Sequence, residues 1–291
     1  MANARVLSPL TTTIASFKGA RRLSKNLQIE WTDGFKADFP YVWLRDCSKR
    51  ESLVHLDLNP KPEVVDVSSG RLSLQWPRYV NADFSSEFLR VHSTVKPLFA
   101  KPVASSICPL TSSWQIVPAD PTTTLKSIGS AEWGECLEEI RTLRPYFHRI
   151  ASTCTVELSN TSNSSHVYVA DSVAALQEMA QKHPNEFQFL SNCSLLYQDR
   201  KGVSAATHQI VTMNGGGISS VIFNNTCRSV DLPSENVDMF YLSLHLLGRY
   251  LWDNTATIEL KSGERLVVNN HRAMVGAPAE RGRQLAVRLF Y

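Results

Sequence analysis

The chain has 291 residues, of which 43% are hydrophobic and 20% are charged, the composition of an ordinary globular protein. The formal net charge of +3 is not gathered into one basic tract, so composition excludes a charge-driven nucleic-acid binder. No run approaches the roughly 18 apolar residues of a membrane span. Six scattered cysteines without a CxxC pair favour single thiols in a reducing compartment. We therefore expect neither nucleic acid nor a membrane as partner.

The N-terminal segment, residues 1–25, is basic and rich in Ser, Thr and Ala, and the first acidic residue is Glu30. This composition is typical of a mitochondrial transit peptide, which forms a basic amphipathic helix without acidic residues. The alternative is a solvated leader without a targeting role. The sequence therefore predicts a leader over residues 1–25 and a mitochondrial or cytoplasmic location.

Residues 26–92 have the pattern of a small β domain. Leu27, Ile29 and Trp31 alternate with polar residues, which predicts a half-buried strand. A second alternating strand is predicted at 72–76, and the same domain is expected to hold apolar strand segments at 42–44, 53–56 and 64–67. The next segment, residues 93–122, carries five prolines with many Ser and Thr, which predicts a linker or an extended wrap around the following domain.

The second domain is predicted over residues 123–291 and contains both helices and strands. Helical periodicity is found at 131–144, 171–183 and 237–252. The glycine run at 215–217 predicts the tip of a hairpin between segments 208–213 and 219–223. Short strands are predicted at 167–169, 257–260, 266–268 and 285–289. Late strands with few helices favour a barrel-like or sandwich fold.

A search for iron ligands begins with the two-His-one-carboxylate pattern, in which one strand carries His-x-Asp or His-x-Glu and a distant strand carries the second His. The chain holds one such triplet, His55-Leu56-Asp57. We interpret it as a surface His and Asp on alternate strand positions, because a three-residue pattern is weak support for a metal site. The remaining histidines are isolated in sequence, and each is interpreted as structural; those considered are His148, His166, His183, His208 and His245.

Three stretches resemble the γ-butyrobetaine and trimethyllysine hydroxylases, the TauD-like Fe(II)/2-oxoglutarate dioxygenases of carnitine biosynthesis. Residues 39–47 read FPYVWLRDC, which is similar to the Trp-Leu-Arg-Asp run of the family's small zinc domain. Residues 222–228 read IFNNTCR, which is similar to its Asn-Asn-x-x-Arg strand. Residues 263–276 read GERLVVNNHRAMVG, which resembles the strand pair that carries the distal iron ligand. The order of the three stretches is that of the family.

The resemblance implies a mainly β fold with helices, in which a small N-terminal β domain precedes an incomplete double-stranded β-helix, or jelly-roll, domain. It implies Fe(II) and 2-oxoglutarate as cofactors and a small trimethylammonium substrate. By the resemblance, Asn224 lies in the substrate pocket. Arg283 matches the arginine that binds the far carboxylate of 2-oxoglutarate, although a surface strand arginine is an equal alternative.

The chain departs from the family at its metal ligands. Val275 stands at the distal-His position, and His271, four residues earlier, cannot simply replace it. His148 matches the first ligand, but Ile150 stands where the carboxylate belongs. In the N-terminal domain Cys47 alone represents the zinc ligands, whereas a structural zinc site needs four. We therefore predict no catalytic and no metal-binding residues, and no zinc.

Three functions remain open from the sequence. The first is a degenerate member of the family without hydroxylase activity, which would be a pseudoenzyme, a partner of an active paralogue, or an isoform or gene model that lacks a catalytic stretch. The second is an active hydroxylase with unrecognised ligands. The third is a module that binds 2-oxoglutarate or a carnitine precursor without turnover. Assembly as a homo-oligomer or with an active paralogue is a further expectation, and pairing with a paralogue belongs to the first function.

Overall fold

The structure, a computed structural model, describes residues 15–68, 70–94, 114–118, 155–160, 164–198, 205–225, 228–232, 236–269, 271–276 and 285–290. The chain divides into two compact units. The first comprises Met1–Lys49 and Asn59–Thr94, and the second comprises Arg50–Leu58 and Val95–Tyr291. The described residues are mainly β with helices, as predicted.

The first unit contains two three-stranded antiparallel sheets. Their strand orders are β1-β2-β3 and β4-β5-β6, and two short helices follow β3 and β6. The elements are β1 (Phe17–Arg22), β2 (Asn26–Trp31), β3 (Lys36–Pro40), α1 (Tyr41–Ser48), β4 (Val64–Val67), β5 (Arg71–Trp76), β6 (Val80–Ser85) and α2 (Ser86–Val91).

The alternation predicted for the first unit is confirmed. Leu27, Ile29 and Trp31 are all fully buried, and their polar neighbours on β2 are half-buried. Leu72, Leu74 and Trp76 are buried in the same alternating way on β5. Because side chains point to opposite faces at successive strand positions, each strand contributes one apolar face to the core of this unit.

Two predicted strand segments are wrong. Residues 42–44 lie inside helix α1, and residues 53–55 form a short 3-10 helix, Leu53–His55. All of Tyr41–Asp46 is buried, and the apolar run 42–44 is too short for periodicity to distinguish a buried helix from a buried strand. His55 and Asp57 are exposed, as predicted, but on this turn and not on a strand.

The predicted leader needs a correction at its C-terminal end. Strand β1 lies within residues 1–25 and pairs antiparallel with β2, where Ala20 is opposite Ile29. Phe17 is buried and its ring centroid lies 5.7 Å from that of Trp31. Residues 17–22 therefore belong to the first sheet, and the first unit begins earlier than the predicted boundary at residue 26. Residues 1–14 lie outside the described residues.

The second unit is built on two antiparallel sheets, with strand orders β14-β9-β16 and β17-β8-β15-β7. Strands β14 and β16 lie in the first of these sheets, and β15 and β17 lie in the second, so the chain crosses between the sheets at each step from β14 to β17. It also crosses between β8 and β9. This alternation between two sheets is the connectivity of a jelly roll, the fold predicted for this unit. The strands are β7 (Trp114–Pro118), β8 (Thr155–Asn160), β9 (Ser164–Asp171), β14 (Thr255–Lys261), β15 (Glu264–Asn269), β16 (Ala273–Gly276) and β17 (Leu285–Phe290).

Three described helices belong to the second unit: α3 (Ser172–Lys182), α4 (Pro184–Ser191) and α5 (Val237–Asp253). The predicted helices at 171–183 and 237–252 are confirmed. Asp171 caps α3 by accepting a hydrogen bond from the backbone N–H of Ala174 at 2.9 Å, which satisfies one of the unpaired donors of a first turn. Pro184 begins the next helix, where its missing N–H costs nothing.

Two hairpins complete the second unit: β10 (Ser194–Gln198) with β11 (Ala205–Gln209), and β12 (Val211–Asn214) with β13 (Gly217–Val221). The hairpin predicted around the glycines is confirmed as β12-β13, where Gly215 and Gly216 take positive φ. The predicted first strand, 208–213, is instead shared between β11 and β12.

Part of the predicted linker is a strand. Residues 114–118 form β7, an edge strand that pairs with β15, with Ile116 opposite Leu266. This agrees with the extended-wrap alternative for that portion of residues 93–122. The predicted helix at 131–144 lies outside the described residues.

Candidate functional site

The resemblance aligns position 275 with the distal iron ligand, and the side chain at this position is apolar and buried. Val275 lies on β16 directly opposite Val169 of β9, and the two side chains are 6% and 0% exposed. On the same sheet face, Val167 is opposite Ile258 of β14, and both are buried. Asp171, two positions after Val169 on β9, lies on this face as well. The four aliphatic side chains themselves offer a metal ion no donor atom.

His271 lies in the turn before β16, where its backbone N–H donates to Asn269 Oδ1 at 3.0 Å and its carbonyl accepts from Val221 N–H at 3.2 Å. The next residue, Arg272, forms an ion pair at 3.2 Å with Asp171, the residue that caps α3. The backbone of this turn is thus held from two sides.

The predicted substrate residue, Asn224, is buried at a polar turn with Asn225 and Arg228, called here the 224–228 turn. Its carbonyl accepts from Arg228 N–H at 3.2 Å. The neighbouring Asn225 carboxamide accepts from Arg228 Nε at 2.9 Å and donates to the Glu51 carbonyl at 2.9 Å. Asn224, Asn225 and Arg228 are all at most 5% exposed. Buried polar side chains require hydrogen-bonding partners, and these bonds supply partners within the second unit.

The other described histidines are dispersed. His208 is buried on β11, with its ring centroid 6.2 Å from that of Tyr197. His245 on α5 lies with Nδ1 3.0 Å from the Leu53 carbonyl. His183 ends α3 against the edge of Tyr250, and His166 is exposed on β9. Across the described part of the chain, no group of three His, Cys, Asp or Glu side chains could hold a metal ion.

The region that resembles the zinc domain has a hydrogen bond where metal ligands would be expected. Ser48, which follows Cys47 on α1, accepts from the Trp76 indole N–H at 2.9 Å and donates to the Leu44 carbonyl at 2.7 Å. The fold therefore brings the end of α1 next to Trp76-Pro77. Arg78, after that proline, is exposed. One cysteine thiol with these neighbours does not fit a four-ligand zinc site.

The same test is negative for iron over the described residues, because position 275 lacks a donor atom and no His or carboxylate lies opposite it. Three residues of the predicted site, His148, Ile150 and Arg283, lie outside the described residues. The geometry gives no metal-centred step to derive.

A groove of about 420 Å³ lies beside α4 and the start of α5, and sequence reasoning did not find it. Its lining includes four carboxamides and one thiol: Asn185, Gln188, Asn192, Asn236 and Cys193. Burial raises the pKa of the Cys193 thiol to about 12, so this sulfur stays protonated and is a poor nucleophile near neutral pH. Scattered amides carry no sequence signal, because only the packing of two helices brings them together.

Comparison with known proteins gives a fold likeness of low identity. No family model matches the chain, and no curated protein matches it. Among solved structures, a Burkholderia xenovorans protein described as an alpha-ketoglutarate-dependent 2,4-D dioxygenase is 12% identical, over 61% of this chain and 81% of that one, with a TM-score of 0.45. A taurine dioxygenase from the same organism is 12% identical, over 61% of this chain and 64% of that one, with a TM-score of 0.41.

A third solved structure, the non-heme iron oxygenase OrfP with Fe, succinate and (3S)-hydroxy-L-Arg, is 13% identical over 48% of this chain and 45% of that one, with a TM-score of 0.36. The descriptions of these three structures are those of two dioxygenases and one non-heme iron oxygenase. At these scores, the likeness carries no argument about what this chain binds or does. No described helix is long and apolar enough to cross a membrane.

Proposed function

We propose that this chain is a non-catalytic member of the γ-butyrobetaine/trimethyllysine hydroxylase type of dioxygenase. The support is the ordered set of three sequence stretches that resemble this family, together with the jelly-roll connectivity of the second unit. Asn224 is retained in a buried turn, whereas the distal metal ligand is replaced.

The observation that carries the proposal is the environment of Val275. Its strand lies in full register with β9, with Ala273 opposite Asp171 and Met274 opposite Ala170. A one-residue slip would turn every side chain of β16 to the opposite face, and Arg272 fixes the register by its ion pair with Asp171. This register keeps the valine at the position that the resemblance gives to the distal ligand, which supports the proposal.

Turnover is the direct test. The full-length chain is incubated with Fe(II), ascorbate, 2-oxoglutarate and either γ-butyrobetaine or trimethyllysine, and succinate is measured beside an active hydroxylase as positive control. We expect succinate at the level of the protein-free blank. Succinate release that requires the chain and is lost in Arg283→Ala would overturn the proposal and restore the active hydroxylase.

Binding without turnover is the second candidate, and the anchored Asn224 turn favours it. A ligand that binds the folded state raises the unfolding temperature by mass action, to an extent set by its concentration relative to Kd. Without iron, millimolar 2-oxoglutarate or γ-butyrobetaine should then raise Tm. Arg283→Ala should remove the 2-oxoglutarate shift and Asn224→Ala the γ-butyrobetaine shift. No shift with either ligand contradicts a binding role.

A further inference from the structure

The nine residues Arg50–Leu58 belong to the second unit, although the chain on both sides of them belongs to the first. They contact the second unit at two places, the 224–228 turn and helix α5. We infer that Arg50–Leu58 is a strap that couples α5 to this turn, and that Arg50 is a positioning residue for Asn224. The inference about the strap does not depend on the proposed function. Only a ligand-binding role of Asn224 rests on the proposed function.

The first end of the strap closes the turn. Arg50 Nη1 donates to two carbonyls, Asn225 O at 2.7 Å and Arg228 O at 2.6 Å. In return, the Asn225 carboxamide donates to the Glu51 carbonyl at 2.9 Å. Hydrogen bonds from a guanidinium are stronger than those between neutral groups. Two guanidinium bonds and one carboxamide bond join two strap residues to the turn, and the Asn225 side chain is fully buried. The position of the turn therefore depends on the strap.

The second end of the strap rests on Gly248 of α5. A methyl group added at Gly248 would lie 2.4 Å from Leu53 Cβ, 3.0 Å from Leu53 C and 3.1 Å from Val54 N. Two of these atoms are backbone, so a rotamer change of Leu53 cannot relieve the clash. One helical turn earlier, His245 Nδ1 lies 3.0 Å from the Leu53 carbonyl, and the ring N–H must donate because a carbonyl can only accept.

The two ends of the strap that make these contacts, Arg50 and Leu53, are close together in the chain. Only Glu51 and Ser52 separate Arg50 from Leu53, and Leu53 is 1% exposed. So short a segment, held by backbone contacts at one end and by a bridging guanidinium at the other, cannot shift at Leu53 without moving Arg50. Asn224 directly precedes the residue that Arg50 and Glu51 hold. A substitution at Gly248 of α5 should therefore alter the position of Asn224 through the strap.

Hydrogen exchange of the full chain, followed by mass spectrometry without ligand or metal, tests the strap. The variant is Gly248→Ala, and its matched control is Gly19→Ala, where an added methyl meets nothing within 4 Å. In a helix with free space, Gly→Ala stabilises by up to about 1 kcal/mol. We expect Gly248→Ala instead to lower Tm and to raise exchange at least tenfold in peptides from both 50–58 and 221–232, while the control changes neither.

A second variant keeps the inference testable if Gly248→Ala does not fold. Arg50→Ala should raise exchange in 221–232 at least tenfold, whereas Arg249→Ala, which removes an exposed arginine of α5, should not. Unchanged exchange in 221–232 for Arg50→Ala would overturn the positioning role. A higher Tm for Gly248→Ala, or faster exchange confined to 50–58, would overturn the coupling. Because no ligand is present, these outcomes are independent of whether the chain binds 2-oxoglutarate.

Discussion

Replacing Ser48 by alanine should destabilise the first unit through the loss of one hydrogen bond. The Ser48 hydroxyl accepts from the Trp76 indole N–H at 2.9 Å, and Trp76 is 0% exposed. Without the hydroxyl, the indole N–H keeps its burial but loses this acceptor. The hydrogen bond between Ser48 and Trp76 is therefore expected to stabilise the core of the first unit.

The size of the effect follows from two opposing contributions. A buried donor left without its acceptor costs about 1–3 kcal/mol. Alanine has a higher helix propensity than serine, by up to roughly 0.5 kcal/mol, and Ser48 is the last residue of α1. Loss of the hydrogen bond from the Ser48 hydroxyl to the Leu44 carbonyl adds little to the destabilisation, because such side-chain bonds to the preceding helical turn contribute little stability. The expected net loss in the free energy of unfolding is about 1–2 kcal/mol.

A double-mutant cycle isolates this bond from the other effects of each change. Ser48→Ala, Trp76→Phe and the double variant are unfolded in urea, and hydrogen exchange of peptides from β2 and β5 reports the first unit by itself. Phenylalanine lacks the N–H, so Ser48→Ala should cost less in the Trp76→Phe background, by about 1 kcal/mol or more. Ser48→Thr, which retains the hydroxyl, is the control. Additivity within about 0.5 kcal/mol would show that the two residues are independent and would refute this reasoning.

Three further predictions concern the site, the thiols and acid stability. Val275→His should lower the free energy of unfolding by about 1–3 kcal/mol, because it buries a polar ring on an aliphatic face; it should release no succinate, because Ile150 still stands where the carboxylate ligand is expected, and succinate release would show that the other ligands are present. At pH 8, iodoacetamide should label the half-exposed Cys47 well before Cys193, whose pKa of about 12 keeps it protonated. Peptide mapping gives the order of labelling, and faster labelling of Cys193 would contradict this prediction. Elemental analysis of the same sample should find no stoichiometric zinc. The hydrogen bond from Arg71 lowers the pKa of Asp83 in the folded protein. The ionised Asp83 carboxylate therefore stabilises the fold above the pKa of the unfolded chain, and this contribution is lost as pH falls through the folded pKa. As the pH is lowered below about 4, the urea midpoint of Asp83→Asn should fall less than that of the parent.

Elements with one buried face were predictable from the sequence. The alternating residues of β2 and β5 and the apolar stripe of α5 each bury one side, and a half-buried element shows its own period. Helix α1 was not predictable in this way, since Tyr41–Asp46 are buried on every side. Aromatic and β-branched residues in that run indicate a strand by composition, and only packing made it a helix.

For the candidate site, the resemblance singled out positions 275 and 224, and the structure supplied their surroundings. The valine at 275 is visible in the sequence, and so is the single cysteine at Cys47. The amide-lined groove beside α4 gave no signal, because its residues are separated in sequence and share no pattern. His208 and His245 were interpreted as isolated histidines, and the structure adds that His208 is buried and His245 is half-buried.

The sequence by itself determined the order of the elements with alternating or helical periods and the aliphatic residue at position 275, because local composition and spacing are read directly from the chain. Only the tertiary structure decided that Phe17–Arg22 joins the first sheet, that Ser48 meets Trp76, and that Arg50–Leu58 belongs to the second unit. Each depends on contacts between residues far apart in the chain. Arg50 and Asn225 are 175 positions apart, and no local pattern specifies which distant carbonyl a guanidinium will find once the backbone has closed around it.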